Sequence, residues 1–298
     1  MTSVFRLSFK WMAGAFIACC LAFSCTDYDQ QTPASTDKVT VSDFSAARED
    51  NHIGGKLYMP GGKKGPLPAV ILCHGIFGSH KDLSVYAMAA AEMGSAAVCF
   101  DFCGGPVGES LSDGSAQENS ISTESADLKA VYDALVARSD IDPDRIIVMG
   151  ASQGGLIASY FAAENPEKVK ALGLFYPAFN LPDLVRAAFD LLYDGDIGKL
   201  PDPVVLLPDI LPDVKFSKKY VMEASALYPF EFIGYYKGPV NIIHGDADIV
   251  VPLETSREAL KKYTDADLIV LKGQPHVFDE DGKKEALEHV KAWLGKVL

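Results

Sequence analysis

Basic residues are scarce in this chain: 27 Lys and Arg stand against 40 Asp and Glu, a formal net charge of −13. That balance repels phosphate backbones and anionic bilayer surfaces, so it argues against a nucleic-acid partner. Metal-ligand spacing is missing as well. The six cysteines (Cys19, Cys20, Cys25, Cys73, Cys99 and Cys103) form no C-x-x-C pair, and no histidine cluster accompanies them. Neither a zinc site nor a dithiol redox site has its ligands here, so no metal is expected. Cys73, Cys99 and Cys103 fall in or beside apolar runs and read as small buried hydrophobes. A Cys99–Cys103 disulfide stays open for an oxidising compartment. Internal repeats and low-complexity tracts are absent. The apolar stretch Trp11–Phe23 falls short of the ~20 residues that a bilayer-spanning helix needs. What remains is 298 residues with 48% hydrophobic and 22% charged side chains, enough for one large domain with its own core.

The N-terminal segment reads as an address rather than as structure. Arg6 and Lys10 precede the apolar run, which ends in Leu21-Ala22-Phe23-Ser24-Cys25. This resembles a bacterial lipoprotein signal, in which a cysteine after small residues is acylated and becomes the new N-terminus. The expectation is a removed segment 1–24, lipidation at Cys25 and a polar, flexible tether over 25–37. Cys20 is a weaker competing site, because the apolar run continues past it. Acyl chains at Cys25 would attach an exported protein to a membrane, and Thr26 points to the outer one, on its periplasmic or outward face.

From residue 38 onward, short apolar runs alternate with amphipathic stretches, the pattern of an α/β fold with a mostly parallel sheet. Residues 38–44 and 52–59 predict an opening antiparallel pair. Residues 69–73, 96–102, 146–149, 169–175, 240–244 and 268–271 predict the remaining strands. Helices are predicted over 124–138, from 153 through 163, and over 282–298. Between Phe179 and Gly238 the rhythm breaks, with six prolines and many aromatics. That is too long for a simple connection and reads as an inserted lid within a domain spanning 38–298.

The chemistry starts at Gly150-Ala151-Ser152-Gln153-Gly154, set between a predicted strand and a predicted helix. A tight turn with small neighbours lifts a serine hydroxyl out of a sheet, so Ser152 is the candidate nucleophile. A base must follow. His276 lies in a loop after the last strand and can reach Ser152. His52 sits at the edge of the fold, His289 falls on a polar helix face, and His244 ends a strand where a packed role fits better. The orienting acid comes from His244-Gly245-Asp246-Ala247-Asp248. Asp248, deeper in the loop, is the choice, with Asp246 the alternative. The oxyanion hole needs two N–H donors. Gln153, after the nucleophile, supplies one. The loop His74-Gly75-Ile76-Phe77-Gly78 supplies the other, through Ile76 or alternatively Phe77, with His74 bracing the loop.

Together, His74-Gly75-x-x-Gly78, Gly150-x-Ser152-Gln153-Gly154-Gly155, His244-Gly245-x-x-Asp248-x-x-Val251-Pro252 and His276 resemble α/β-hydrolases of the bacterial cinnamoyl (feruloyl) esterase type. The resemblance covers about residues 38–298. It implies the α/β-hydrolase fold with a lid, a Ser152–Asp248–His276 triad, an oxyanion hole at Ile76 and Gln153, and ester hydrolysis without cofactor. A small-molecule or oligosaccharide ester from plant polysaccharide would be the substrate. The chain departs from the family at Ile76, where an aromatic residue is common, and in the loop 104–110. Those changes put the acyl specificity in doubt. A peptidase of the acylaminoacyl type, a lipase or a thioesterase would use the same groups. A non-catalytic binding lipoprotein would need a lost triad member, and none is lost.

Overall fold

The computed structural model describes residues 38–63, 65–105, 108–206 and 215–298. The expected leader, Cys25 and the tether lie outside the described residues. An eight-stranded sheet runs in the order β1-β2-β4-β3-β5-β6-β7-β8. Its strands are β1 (Val39–Arg48), β2 (Asn51–Pro60), β3 (Leu67–Cys73), β4 (Ala96–Phe100), β5 (Ile141–Ala151), β6 (Ala171–Phe175), β7 (Val240–Gly245) and β8 (Ala266–Leu271). β1 pairs antiparallel with β2, and β2 antiparallel with β4; every other pairing is parallel. The helices are α1 (Ser84–Glu92), α2 (Ile121–Val136), α3 (Gln153–Glu164), α4 (Leu181–Tyr193), α5 (Lys218–Ala226), α6 (Pro229–Phe232), α7 (Leu253–Lys262) and α8 (Glu280–Val297).

Alternation along the central strands builds two cores. Ala69, Ile71 and Cys73 of β3 face one way, with Ile146 and Val148 of β5, against α2 and α3. Val70 and Leu72 face the other way, with Ile147 and Met149, against α1 and α8. A strand buried on both faces needs an apolar residue at every position, and β3 is buried throughout. The three cysteines described are buried and free, so Cys99 and Cys103 are not bridged.

Helix α2 begins three residues before the expected start. Ser120 caps it by accepting from the Thr123 N–H, and Thr123 answers at the Ser120 N–H, a reciprocal cap that moves the start upstream. Helices α4, α5 and α6 occupy the stretch between β6 and β7. They do not form a separate core: Val185, Phe189, Phe216, Tyr220 and Ala224 belong to the same apolar cluster as Leu128 and Leu156. Among the described residues no helix is long and apolar enough to cross a membrane.

Leu128 is fully buried on the inward face of α2. Leu128→Ala should cost about 3 kcal/mol. Urea unfolding should show a lower midpoint with an unchanged m-value; a midpoint equal to wild type would contradict this account of the core.

Candidate active site

The site is assembled from loops at the C-terminal ends of the parallel strands, where ligands bind in sheets of this kind. β5 ends at Ala151 and α3 begins at Gln153, so the chain reverses through Ser152 alone. Ser152 has φ 51° and ψ −120°, which L residues avoid. The turn closes only with glycine neighbours. A Cβ on Gly150 would overlap the Gly154 carbonyl, and one on Gly154 would overlap the His74 carbonyl.

Ser152 Oγ lies 3.0 Å from His276 Nε2, and His276 Nδ1 lies 2.7 Å from Asp248 Oδ2. With its proton on Nδ1 donated to the carboxylate, His276 keeps Nε2 free to accept from the serine hydroxyl. Asp248 Oδ1 accepts from the Val250 and Val251 N–H groups, both at 2.8 Å. Burial alone would raise this carboxyl. Hydrogen bonds from His244 and His276, with the Val251 N–H, outweigh it and hold Asp248 well below the usual carboxylate range. The group therefore stays an anion that accepts at both oxygens.

Asp246, the alternative acid, does something else. Its Oδ1 accepts from the Gly273 N–H at 2.5 Å, and the Ala247 N–H reaches the Gln274 carbonyl at 3.1 Å. These bonds tie the Asp248 loop to the His276 loop. His244 is packed and hydrogen-bonded, as its strand-end position suggests, but it also touches Asp248. Its Nε2 lies 3.1 Å from Asp248 Oδ2 and 2.9 Å from the Val251 carbonyl, with Ser256 Oγ at Nδ1. His74 accepts the Phe102 N–H at Nε2 and donates from Nδ1 to the Gly75 carbonyl, which braces the Gly75–Gly78 turn. That turn packs on Ser152: a Cβ on Gly75 would stand 3.2 Å from Ser152 Cβ. Ile76 is half-buried within it. The Gln153 N–H opens α3, and a first helical N–H has no acceptor inside its helix. His52 and His289 stand apart; His289 is on the exposed side of α8, near Glu285.

One group beside the site was not anticipated. Glu124 is buried in α2 and accepts from Gln153 Nε2 at 2.7 Å and from Asn119 Nδ2 at 3.0 Å. Burial pushes its carboxyl up to about 7, against the pull of those two hydrogen bonds, and Asp127 adds to the rise. The signal was present in the sequence. Glu124 lies in register with Leu128, Val131 and Leu135, so a charge stands in the apolar stripe of a helix.

A family model described as alpha/beta hydrolase fold matches residues 68–192. Est1E from Butyrivibrio proteoclasticus, solved with ferulic acid bound, superposes with a TM-score of 0.75 at 26% identity, covering 85% of this chain and 98% of that one. A hypothetical protein of Pseudomonas aeruginosa superposes with a TM-score of 0.70 at 18% identity, over 91% and 98% of the two chains, and shows the fold alone. An uncharacterized protein of Mycobacterium tuberculosis is 28% identical over 205 residues. That match takes in 68% of this chain and spans 60% of the relative's length. Fold and comparisons define the class of structure: the chain has the α/β-hydrolase fold.

Glu124 also makes stability depend on pH. Its folded pKa of about 7 lies above the ordinary 4.5. Between those values the folded chain binds more protons than the unfolded one, so stability falls as pH rises through this window. The loss is complete above the folded value and is at most ~3 kcal/mol. Glu124→Gln removes the slope. Its melting temperature relative to wild type should be higher at pH 8 than at pH 4.5; equal differences at both pH values would refute the assignment.

Proposed function

We propose that the chain is a serine carboxylic-ester hydrolase in which Ser152 is the nucleophile, His276 the general base and Asp248 the orienting acid. The observation that carries this reading is the continuous hydrogen-bonded chain from Ser152 Oγ through His276 to Asp248. His276 Nε2 takes the hydroxyl proton as Oγ attacks the ester carbonyl, then gives it to the departing alcohol. Asp248 steadies the imidazolium that forms between the two transfers. The Gln153 and Ile76 N–H groups receive the oxyanion, aided by the positive end of α3. Water, deprotonated by His276, then attacks the acyl-enzyme and frees the acid and Ser152. The sequence of steps requires no metal and no cofactor.

The acyl group in this reading is aromatic. Phe77, next to Ile76, packs on Phe216, and Phe216 packs on Tyr220, with ring centroids 5.9 and 4.9 Å apart. The ferulic acid held by the similar Est1E supports a hydroxycinnamoyl ester, such as those on plant oligosaccharides. Residues 179–238 act as the lid. The N-terminal motif supports removal of 1–24, lipidation at Cys25 and a tether over 25–37, which place the enzyme at the outer membrane of a bacterium.

A panel of methyl ferulate and p-nitrophenyl acetate, butyrate and octanoate tests the reading. Turnover of methyl ferulate is expected, falling at least ~10³-fold in Ser152→Ala. Activity confined to the simple esters would discard the cinnamoyl specificity and keep the triad. Activity that survives Ser152→Ala would sink the mechanism. Asp248→Asn should lower kcat by about 10⁴-fold, because an amide facing His276 favours the wrong tautomer. Asp246→Asn keeps an acceptor for the Gly273 N–H and should stay within ~10-fold of wild type; the reverse order would make Asp246 the acid.

A further inference from the structure

Behind Ser152 five buried side chains close a ring of hydrogen bonds. Glu124 accepts from the side-chain amides of Gln153 and Asn119. Gln153 Oε1 accepts from the Tyr220 hydroxyl at 2.6 Å. Ser217 Oγ accepts the Tyr220 N–H at 2.8 Å and donates to the Asn119 carbonyl at 2.9 Å, which completes the circuit. Ser217 and Tyr220 come from the segment between β6 and β7, Asn119 and Glu124 from the start of α2, and Gln153 from the residue after Ser152. One turn further along α5, Glu223 accepts from both the N–H and the hydroxyl of Ser122, each at 2.8 Å. Ser217, Tyr220 and Glu223 are thus spaced by three along one face of α5 and its cap: Ser217 and Glu223 hold the start of α2, and Tyr220 holds Gln153.

Glu124 is a poor choice for stability. Among the described residues it makes no ion pair, since Arg48 is taken by Asp127. A buried carboxylate without a cation costs more than an amide or an apolar side chain of similar size. Once ionised, above about pH 7, the carboxylate does what an amide cannot: it accepts at both oxygens and donates at neither. It therefore allows the Gln153 amide one orientation, with Nε2 toward Glu124 and Oε1 toward Tyr220. That in turn makes the Tyr220 hydroxyl a donor. A glutamine at 124 would permit two orientations of Gln153 and two seatings of Tyr220.

We infer that Glu124 is a positioning residue that couples the seating of α5 to the backbone N–H following Ser152, through the side chain of Gln153. The inference rests on the reading of that N–H as an oxyanion donor. It also identifies why Gln153 rather than any small residue follows the nucleophile: one residue carries the donor on its backbone and the tie to the lid on its side chain.

The test compares wild type, Glu124→Gln, Tyr220→Phe and the double variant at pH 8. Two quantities are read: the rate at which a fluorophosphonate labels Ser152, and amide hydrogen exchange over residues 217–226. Glu124→Gln should label ~10-fold more slowly, the scale expected when a reacting group is displaced without being removed. Exchange over 217–226 should quicken while the melting temperature is not lowered. Tyr220→Phe should shift both readouts the same way, and the double variant should be no slower than the slower single one, because both changes break one circuit. Wild-type labelling and exchange in Glu124→Gln would overturn the inference. So would slower labelling that only tracks a lowered melting temperature, since that is a purely structural role. If wild-type Ser152 itself resists the fluorophosphonate, the esterase reading fails, and exchange over 217–226 then decides alone whether Glu124 seats α5.

Discussion

The turn at Ser152 is the constraint on which the remaining geometry depends. A residue at φ 51° and ψ −120° relaxes unless its surroundings over-determine it, and such strain costs on the order of 1–3 kcal/mol. Here the Ser152 N–H donates to the Phe175 carbonyl, and the Ser152 carbonyl accepts from Gly155 and Ala178. β5 is clamped between β3 and β6, so the strand cannot slide to release the turn. Seven non-glycine residues among those described have positive φ, and five of them (Phe77, Ser152, Tyr176, Val277 and Phe278) lie in the loops beyond β3, β5, β6 and β8. The strain is therefore gathered at one end of the sheet, around the serine, and the long buried strands bear it.

A second consequence concerns the proposed base. His276 is followed by two strained residues, Val277 and Phe278, and its ring packs on Tyr176 at 4.6 Å. The position of the imidazole comes from Asp248, which takes His276 on one oxygen and two backbone N–H groups on the other. Asp248 is in turn held by His244 from the end of β7. The order of support runs from the sheet to Asp248 to His276 to Ser152, and each step is a directed hydrogen bond.

Strand existence, the parallel sheet and the nomination of Ser152, Asp248 and His276 were legible because each has a local signal. Those signals are continuous apolar runs, a glycine-flanked serine between strand and helix, and loops placed after strands. Helix α1 was not legible. Its Ala-rich sequence is buried on most sides, with Ser84, Tyr86, Ala87, Ala89, Ala90 and Ala91 all inside, so no apolar stripe stands out against a polar one. Helix α4 was hidden by Pro182 and Asp183 in its first turn and Asp194 at its end, which read as loop. The support given by His244 and the ring through Glu124 depend on contacts between residues far apart in sequence. Tyr220 meets Gln153 across 67 positions, and no window of sequence holds both.

Segment α5 is held by two kinds of force that do different things. Phe216, Val221 and Ala224 bury apolar surface in the core shared with α2 and α3. That attraction is large but nearly indifferent to direction, so it tolerates a small slide or rotation of the helix. The polar contacts do not. A hydroxyl that must meet Gln153 Oε1 and a carboxylate that must meet two donors at Ser122 are satisfied at one register only. Slipping by one residue would leave the buried Tyr220 hydroxyl and Gln153 Oε1 unpaired, at about 1–3 kcal/mol each. The apolar core keeps α5 on the domain, and the buried bond from Tyr220 to Gln153 selects its register there.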